Sequence, residues 1–366
     1  MPKKINKDSA YELVFLISHP SDLNLTITIL NLFDIKNFLI FIHNNRFCTK
    51  ICSHLDNKLI NNYKVLKNEI RYGKKNVLKN LYNIYELKYF LSKYKYSKLV
   101  IFDKSQLISN IFLGAFKNYL IVSSYSENPK LKSLDLKLSL VTLFYSMMIF
   151  LRPVLTFKIA QEANTKTQAI PQYNNLLYWN SANKISSNNK QISFPTKNIK
   201  SNNEIIIFGS RFTEWKINNN EQITQEIILY YKNLFLNFPS SKYLYLPHPR
   251  ESKKEFNILK DIFKDSIKLE DGFINAEDFL SNKNENKFCI SIASTASKSA
   301  YFLGFRSYIF TFMLNFEKDI HQTHKSIHKN LAKEYYIPPQ TEAELDDYVL
   351  FNSKGDLKNL KYFFEE

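Results

Sequence analysis

The sequence has few cysteines: only Cys48, Cys52 and Cys289 occur among its 366 residues. Domains held together by disulfides use larger and more regularly spaced sets of cysteines. We therefore expect no disulfide framework and a reducing compartment.

The sequence also lacks an apolar run long enough to cross a bilayer, which takes about 20 residues. The nearest is residues 138–151, LSLVTLFYSMMIFL, whose length is typical of a buried or interfacial helix. Two interpretations stay open, a core helix or dimer contact and a membrane-facing patch next to Arg152. The short apolar run near the N-terminus, residues 13–17, predicts a strand and not a signal sequence. We expect a cytoplasmic protein, soluble or peripheral at the cytoplasmic face of the inner membrane.

Acidic residues are the minority charge: 50 Lys and Arg against 34 Asp and Glu give a formal net charge of +16. This charge attracts anions, so nucleic acid, an anionic membrane and a negatively charged substrate are all candidates. The lysines are scattered among asparagines, which a biased genome composition would also produce. No Arg-rich stripe or recognised nucleic-acid motif occurs, and this disfavours nucleic acid.

The first half of the sequence alternates apolar runs typical of buried strands with segments of helical periodicity. The predicted strands are residues 13–18, 38–43, 98–103 and 119–124, and the predicted helices are residues 22–33, 76–93 and 106–116. Continuous apolar strands that alternate with helices predict a parallel sheet covered on both faces.

Residues 161–203 are rich in Asn, Ser, Thr, Gln and Lys, and we interpret them as a connecting region with little core. The alternating pattern then restarts. The predicted strands are residues 204–210, 242–246, 287–295 and 307–312, with helices over 222–236 and from 295 to 304. The fold class is therefore α/β, with two Rossmann-like domains whose parallel sheets face a central cleft suited to a nucleotide.

This organisation leads to four predicted regions. They are an N-terminal acceptor-binding domain at residues 1–185, a polar linker at 186–203, a C-terminal donor-binding domain at 204–340 and a C-terminal helical segment at 341–366.

Small, hydroxyl or cationic residues follow three predicted strands of the second half. They are Gly209-Ser210-Arg211, then Pro247-His248-Pro249-Arg250, then Ser294-Thr295 at the start of a helix. A helix N-terminus with hydroxyl groups favours an anion, because its free N–H groups and its dipole face the ligand. Arg and His side chains beside it would complete a phosphate clamp. Together the three strand ends predict a site for a nucleotide phosphate.

The segments IIIFGS, YLYLPHPRE, KLEDG and CISIAST resemble the C-terminal half of bacterial sialyltransferases of the lipooligosaccharide type, which are related to bacterial polysialyltransferases. The similarity covers most of residues 204–312. It implies the two-domain glycosyltransferase architecture called GT-B, with CMP-sialic acid as the donor. It also implies no metal or other cofactor, and the sequence contains no Asp-x-Asp motif that would hold a nucleotide through a metal ion.

The resemblance also implies roles for individual residues. His248 would be the leaving-group acid or phosphate stabiliser, and its ordinary pKa near neutrality suits that task. Ser294 and Thr295 would hold the leaving phosphate, and Glu270 or Asp271 would contact the ribose or base. The other residues expected at the CMP site are Gly209, Ser210, Pro249 and Arg250.

The sequence departs from the resembled family at the general base. The family carries an acidic pair followed by glycine after a strand of the N-terminal domain, whereas here Tyr125-Ser126-Glu127-Asn128 follows the strand at 119–124. Glu127 is the nearest carboxylate and Asp103 the next. We predict Glu127 as the base, and a relocated base, an altered activity and a lost activity stay open.

Simpler structural roles are alternatives for several of these residues. Ser294 and Thr295 would also cap a helix, and residues 270–272 would also form a polar turn. Arg250 would also pair with Glu251 on the surface. His19, in a second His-Pro pair, is interpreted as a loop residue on the acceptor side.

Three further histidines, His321, His324 and His328, would share one face of a helix. No fixed carboxylate or cysteine accompanies them, so we interpret them as a solvated helix face and not as a metal site.

These patterns and the resemblance predict an inverting sialyltransferase that moves sialic acid from CMP-sialic acid to a cell-surface glycan, lipooligosaccharide or capsule. The alternatives are a transferase for a related CMP-activated nonulosonic acid and a catalytically impaired CMP-binding homologue. The expected partners are the CMP-sugar donor and an oligosaccharide acceptor, without nucleic acid. A homodimer and a peripheral contact with the inner membrane stay open.

Overall fold

The computed structural model divides the chain into two units, Met1–Ile192 with Leu357–Glu366 and Ser193–Asp356. The structure describes residues 11–67, 77–94, 97–102, 107–116, 118–123, 157–161, 167–171, 176–179, 190–192, 196–215, 217, 219–248, 251, 253–270, 273, 275–328, 331–351 and 358–365. The predicted run at 138–151 lies outside these residues. None of the described helices combines the length and apolar character that a membrane span requires.

The first unit is an α/β structure. Its strands are β1 (Leu13–Ile17), β2 (Phe38–Ile42), β3 (Tyr63–Val65), β4 (Lys98–Ile101), β5 (Asn118–Ser123), β6 (Phe157–Gln161), β7 (Thr167–Pro171), β8 (Leu176–Trp179) and β9 (Lys190–Ile192). Its helices are α1 (Pro20–Leu32), α2 (Cys48–Asn57), α3 (Val77–Leu91) and α4 (Leu107–Ala115). Seven strands form one parallel sheet in the order β3-β2-β1-β4-β5-β8-β9.

The inner strand β1 shows why these residues form a parallel sheet. All five of its side chains are buried, as expected for a strand covered by helices on both faces. Helix α1 then begins at Pro20, whose fixed φ suits a first turn. The buried carboxylate of Asp22 accepts the backbone N–H groups of Ser18 at 2.9 Å and His19 at 2.8 Å, which would otherwise lack a helical partner.

The connecting region predicted at 161–203 is wrong in part, because strands occur inside it. β6 and β7 form an antiparallel pair, and β8 and β9 extend the parallel sheet. β9 lies within the segment predicted as the linker. The apolar run of β8 is only four residues long, so the surrounding polar composition concealed it.

The second unit repeats the α/β pattern. Its strands are β10 (Glu204–Phe208), β11 (Lys242–Leu246), β12 (Ile267–Leu269), β13 (Phe288–Ser291) and β14 (Ser307–Ile309). Its helices are α5 (Asn220–Asn237), α6 (Lys253–Phe263), α7 (Ala276–Asn282), α8 (Thr295–Phe302) and α9 (Lys318–Ile327). The five strands are all parallel, in the order β12-β11-β10-β13-β14. The predicted α/β class with two Rossmann-like domains is confirmed.

The chain after α9 belongs to the core of the second unit. Leu345 and Tyr348 are buried there, and the Tyr348 hydroxyl donates to the Ser307 carbonyl oxygen at 2.9 Å. Residues 341–351 therefore differ from the helical segment expected at 341–366. The final helix, α10 (Lys358–Glu365), belongs to the first unit, where the Lys98 ammonium donates to the Phe363 carbonyl oxygen at 2.9 Å.

Candidate functional site

The strand order of the second unit brings most of the predicted site residues to one edge of its sheet. Because the strands are parallel, their carboxyl ends share an edge, and the register pairs Phe208 with both Leu246 and Ser291. The residues that follow the strands therefore line up in strand order. From β12 to β13 they are Glu270, then Pro247 and His248, then Gly209 and Ser210, then Ser294 and Thr295.

A topological switch point lies at the carboxyl ends of β10 and β13. The chain leaves β10 through α5 to β11 on one side, and it later returns to β13 on the other side. In open α/β sheets the crevice at such a point is the usual ligand site. Here it lies between Gly209-Ser210 and Ser294-Thr295.

The loop that carries His248 is held by Glu251. One carboxylate oxygen of Glu251 accepts the backbone N–H of His248 at 2.9 Å, and the other accepts the hydroxyl of Tyr245. The backbone of Gly209 also joins this loop to the neighbouring strand, because its N–H donates to the Leu246 carbonyl oxygen at 2.7 Å. The half-buried His248 therefore follows β11 in a turn with several fixed hydrogen bonds.

Gly209 is required by the close packing of this loop. A Cβ atom at this position would lie 2.8 Å from the backbone nitrogen of His248 and would collide with the Glu251 carboxylate. The absence of a side chain therefore lets the end of β10 approach the His248 loop.

Glu251 is also an unusual carboxylate electrostatically. Burial raises its pKa to about 7, and the nearby Glu255 and Glu214 carboxylates act in the same direction. Hydrogen bonds from Tyr245 and from the backbone of His248 act in the opposite direction, but burial prevails. Arg250 lies outside the described residues, so the alternative of an ion pair between Arg250 and Glu251 stays open.

The N-terminus of α8 combines a helix cap with an exposed donor pair. The Ser294 hydroxyl accepts the backbone N–H of Ala296 at 3.2 Å, and the Ser294 N–H donates to the Ser291 hydroxyl at 2.9 Å. Thr295 is exposed, and no hydrogen bond among the described residues uses its N–H or its hydroxyl. A serine hydroxyl that accepts a bond still has its own proton to donate. This helix end therefore offers Thr295 N–H and the two hydroxyls to an anion.

Two charged residues near the edge are already paired. Arg211 forms an ion pair with Glu214, three residues later in the chain. Glu270 forms one with the exposed Lys268 at 2.8 Å, and its backbone N–H donates to the Tyr245 carbonyl oxygen at 2.8 Å. The backbone of Glu270 is thus bonded to β11, the strand that His248 follows, and its side chain is paired with Lys268.

Four predicted site residues, Glu127, Pro249, Arg250 and Asp271, lie outside the described residues, as does Asp103. Their roles stay predictions.

His19 follows β1 in the first unit, near the switch point of that sheet. Its ring makes an edge contact with the Phe47 ring at 5.4 Å between centroids, and the Arg46 guanidinium lies 4.6 Å from the same ring. Its backbone N–H is bound by Asp22 at the start of α1. His19 is therefore held at the end of β1 by contacts of both its ring and its backbone.

The interpretation of three histidines as a solvated face is wrong. His328 is fully buried and follows α9, and His324 accepts or donates a 2.6 Å hydrogen bond with the Thr311 hydroxyl. His321 contacts the Leu314 carbonyl oxygen at 3.0 Å. Each histidine thus has a different partner, and among the described residues no group of three or more His, Cys, Asp or Glu side chains is placed to hold a metal ion.

The chain is similar to solved structures, but no sequence family was found for it. No protein-family model and no curated protein matches the chain. It is similar to a glycosyltransferase from Rickettsia africae, with 12% identity, 98% of each chain covered and a TM-score of 0.44. It is similar to MurG from Acinetobacter baumannii, with 11% identity, 92% of this chain and 89% of that one covered and a TM-score of 0.45. It is also similar to the UDP-GlcNAc 2-epimerase from Neisseria meningitidis bound to UDP-GlcNAc, with 10% identity, 91% and 98% covered and a TM-score of 0.46.

None of these three proteins is described as a sialyltransferase. The relationship to sialyltransferases stays a resemblance of motifs.

Glu251 was not predicted as a part of the site. It lies three residues after His248, and at that spacing a carboxylate can accept the N–H of the earlier turn residue. This spacing was the available signal in the sequence. The sequence also did not distinguish Ser294, which caps α8, from Thr295, which leaves its donors exposed.

Proposed function

We propose that the chain is a GT-B glycosyltransferase that transfers sialic acid from CMP-sialic acid to a cell-surface glycan, with inversion at the anomeric carbon. The proposal rests on the carboxyl edge of the second sheet together with the motif resemblance of residues 204–312. The observation that carries it is the exposed Thr295 at a topological switch point, at the same edge of the sheet as the fixed His248 loop.

The edge suits a leaving phosphate for electrostatic reasons. The start of α8 carries the positive end of the helix dipole, and Thr295 offers it two hydrogen-bond donors. A net charge of +16 favours the arrival of an anionic donor. Ser294, Gly209 and Ser210 would line the same crevice.

His248 would act on the phosphate as CMP leaves. The acceptor hydroxyl oxygen forms a bond to the anomeric carbon, and the bond from that carbon to the phosphate oxygen breaks with its electron pair on CMP. A proton or hydrogen bond from the imidazole would stabilise the departing oxygen, and a positioned acid of this kind is worth about 10²–10⁴-fold in rate. The proton of the acceptor hydroxyl goes to a carboxylate, for which Glu127 is the proposed residue.

The remaining parts of the proposal follow from the same reaction. Glu270 and Asp271 would contact the nucleoside, and Pro249 and Arg250 would complete the phosphate contacts. No metal would be needed, because Thr295 and His248 would take the charge of the phosphate. The acceptor would be an oligosaccharide of lipooligosaccharide or capsule, reached at the cytoplasmic face of the inner membrane.

The decisive experiment measures CMP release from CMP-sialic acid, with and without lipooligosaccharide or lactoside acceptors, in the presence of EDTA. We expect release by the wild type and a loss of about 10²–10⁴-fold in His248→Ala. His321→Ala is the control, since His321 contacts the Leu314 carbonyl oxygen and is not among the residues that follow β10, β11 or β13.

Parallel thermal-shift titrations with CMP and UMP separate the donor classes. Stabilisation by UMP and not by CMP, with release from a UDP-sugar, would reject CMP-sialic acid and keep a glycosyltransferase. CMP binding without release would favour the impaired homologue. No response to either nucleotide would contradict the nucleotide site itself.

A further inference from the structure

The buried His328 contacts the loop that precedes the proposed phosphate site. It follows α9 directly, and its ring lies between two groups from other parts of the second unit. Its Nε2 atom is 3.3 Å from the carbonyl oxygen of Ala293, and its Nδ1 atom is 2.9 Å from the hydroxyl of Tyr335. Ala293 is the residue immediately before Ser294.

The two contacts determine which nitrogen of His328 carries the proton. A carbonyl oxygen only accepts hydrogen bonds, so Nε2 must be the donor to Ala293. Burial lowers the pKa of His328 to about 4, and Lys298 and His324 act in the same direction. The bond to the Ala293 carbonyl oxygen acts in the opposite direction, but burial prevails and the ring is neutral at pH 7. Nδ1 is then an acceptor, and Tyr335 donates its hydroxyl proton to it.

The groups around His328 come from three elements. Lys298 of α8 donates to the Ile327 carbonyl oxygen at 3.2 Å, and the hydroxyl of Tyr336 donates to the His328 carbonyl oxygen. His324 lies one turn earlier on α9. The histidine is therefore fixed through both its backbone and its ring.

The bond to Ala293 fixes one particular peptide group. The Ala293 carbonyl and the Ser294 N–H belong to the same planar unit. His328 holds the carbonyl end of this unit, and the Ser291 hydroxyl holds its N–H end at 2.9 Å. The Thr295 N–H belongs to the next peptide plane, and the φ and ψ angles of Ser294 lie between the two planes. The bond from the Ala296 N–H to the Ser294 hydroxyl restrains these angles, so fixing the first plane helps to set the direction of the Thr295 N–H.

We propose that His328, oriented by Tyr335, is a positioning residue that aims the Thr295 amide and hydroxyl at the phosphate of the donor. This inference rests on the proposed function, since it needs a phosphate at the start of α8. His328 itself would not touch the donor, so it would act on donor binding and not on proton transfer.

The test compares His328→Phe, which keeps an aromatic ring and loses the donor, with two matched variants. His328→Gln places an amide N–H near the position of Nε2 and is expected to restore the wild-type behaviour. His324→Phe makes the same change one turn earlier on α9, where the partner of the ring is the Thr311 hydroxyl. Thr311 bonds to the loop through its backbone N–H, which donates to the Ile292 carbonyl oxygen at 3.0 Å and is kept in this variant. Both phenylalanine variants are expected to change the melting temperature, so stability alone does not distinguish them.

Two measurements distinguish His328→Phe from His324→Phe. The Kd of CMP and the KM of CMP-sialic acid are expected to rise about 3- to 10-fold in His328→Phe, the worth of one ordinary hydrogen bond, with kcat and its pH profile little changed. Hydrogen exchange in a peptide that covers residues 288–302 is expected to accelerate in the same variant. His324→Phe is expected to leave the Kd and this exchange unchanged.

The outcomes distinguish a failure of the positioning role of His328 from a failure of the proposed function. Unchanged exchange and Kd in His328→Phe would overturn the positioning role, as would equal effects in His324→Phe or no rescue by His328→Gln. Absence of CMP binding in the wild type would overturn the proposed function, and the exchange comparison would then still decide whether His328 orders the loop.

Discussion

Glu251 accepts the backbone N–H of His248 at 2.9 Å, and this contact makes a half-buried carboxylate the support of the proposed catalytic loop. The same side chain accepts the hydroxyl of Tyr245, the last but one residue of β11. The strand and the loop that follows it are therefore tied together by one residue. The apolar run of β11 is followed by Pro-His-Pro-Arg-Glu, and the glutamate of this segment fixes the histidine by accepting its backbone N–H.

The pKa of Glu251 predicts a pH dependence of stability. Because its folded-state pKa of about 7 lies above the ordinary 4.5, the folded protein keeps a proton that the unfolded chain releases between these values. The contribution to the free energy of unfolding is therefore complete below pH 4.5 and is lost as the pH rises through 7. Allowing for the solvent that still reaches this carboxyl, the loss is roughly 1–2 kcal/mol.

Glu251→Gln removes this titration and keeps an oxygen for the His248 N–H. We expect the melting temperature of the variant to rise relative to the wild type between pH 4.5 and pH 7, and the difference to stay constant above that range. Differential scanning fluorimetry in one buffer series measures it. Parallel curves for the two proteins over this range would contradict the assigned pKa.

Gly209→Ala tests the close approach of β10 to the His248 loop. The added methyl would lie 2.8 Å from the backbone nitrogen of His248, which cannot move away without breaking the bond to Glu251. We expect a loss of about 1–3 kcal/mol in stability and weaker CMP binding, measured by thermal unfolding and calorimetric titration.

Gly304→Ala is the matched control for this change. Gly304 has a φ of +94°, and its added methyl would lie 2.8 Å from the Lys197 carbonyl oxygen, beyond the C-terminal end of α8 and not at its start. It is expected to lose stability and to keep the CMP affinity of the wild type while folded. Equal losses of affinity in the two variants would show that Gly209 has no special relation to the site.

Apolar strands were the part of the fold that sequence patterns predicted best. β11 was predicted with its observed bounds, because KYLYL is bounded by a Ser-Ser pair and by Pro247. β3 and β12 were missed, since each has three residues and no sustained pattern. β8 and β9 were missed because they lie in Asn-rich sequence, and because β8 owes its position to a non-local pairing with β5 and β9 owes its position to pairing with β8.

The candidate site was predictable at the level of strand ends and not at the level of contacts. Parallel strands place their carboxyl ends on one edge, so the order of Glu270, His248, Gly209 and Ser294 follows from topology. The contact of His328 with Ala293 joins residues 35 positions apart, and no local pattern signals it. The exposed face expected for His328 was wrong because α9 ends against the loop before α8.

Asp22→Ala is expected to destabilise the first unit. The Asp22 carboxylate is buried and binds the N–H groups of Ser18 and His19, so its loss leaves a buried donor at Ser18 without this acceptor. The expected cost is about 1–3 kcal/mol, measured as faster hydrogen exchange in a peptide covering residues 13–32. Lys36→Ala, which removes an exposed ion pair with Asp34, is expected to change this exchange little. Similar exchange rates in the two variants would contradict the role of Asp22.

Ser294 and Thr295 are adjacent, yet the structure predicts opposite effects for their substitution. Ser294→Ala removes the cap of α8, because its hydroxyl accepts the Ala296 N–H, and should cost about 0.5–2 kcal/mol of stability. Thr295→Val keeps the shape of an exposed residue whose hydroxyl has no bond among the described residues, so stability should change by less than about 0.5 kcal/mol.

CMP binding should also distinguish the two variants, because only Thr295→Val is expected to weaken binding without a loss of stability. Thr295→Val removes a hydroxyl donor from the proposed phosphate site and should weaken CMP about 3- to 10-fold at unchanged melting temperature. Calorimetric titration of CMP and thermal unfolding of both variants provide the comparison. If Thr295→Val binds CMP as the wild type does, while Ser294→Ala loses only stability, the start of α8 is an ordinary capped helix and the phosphate must bind elsewhere.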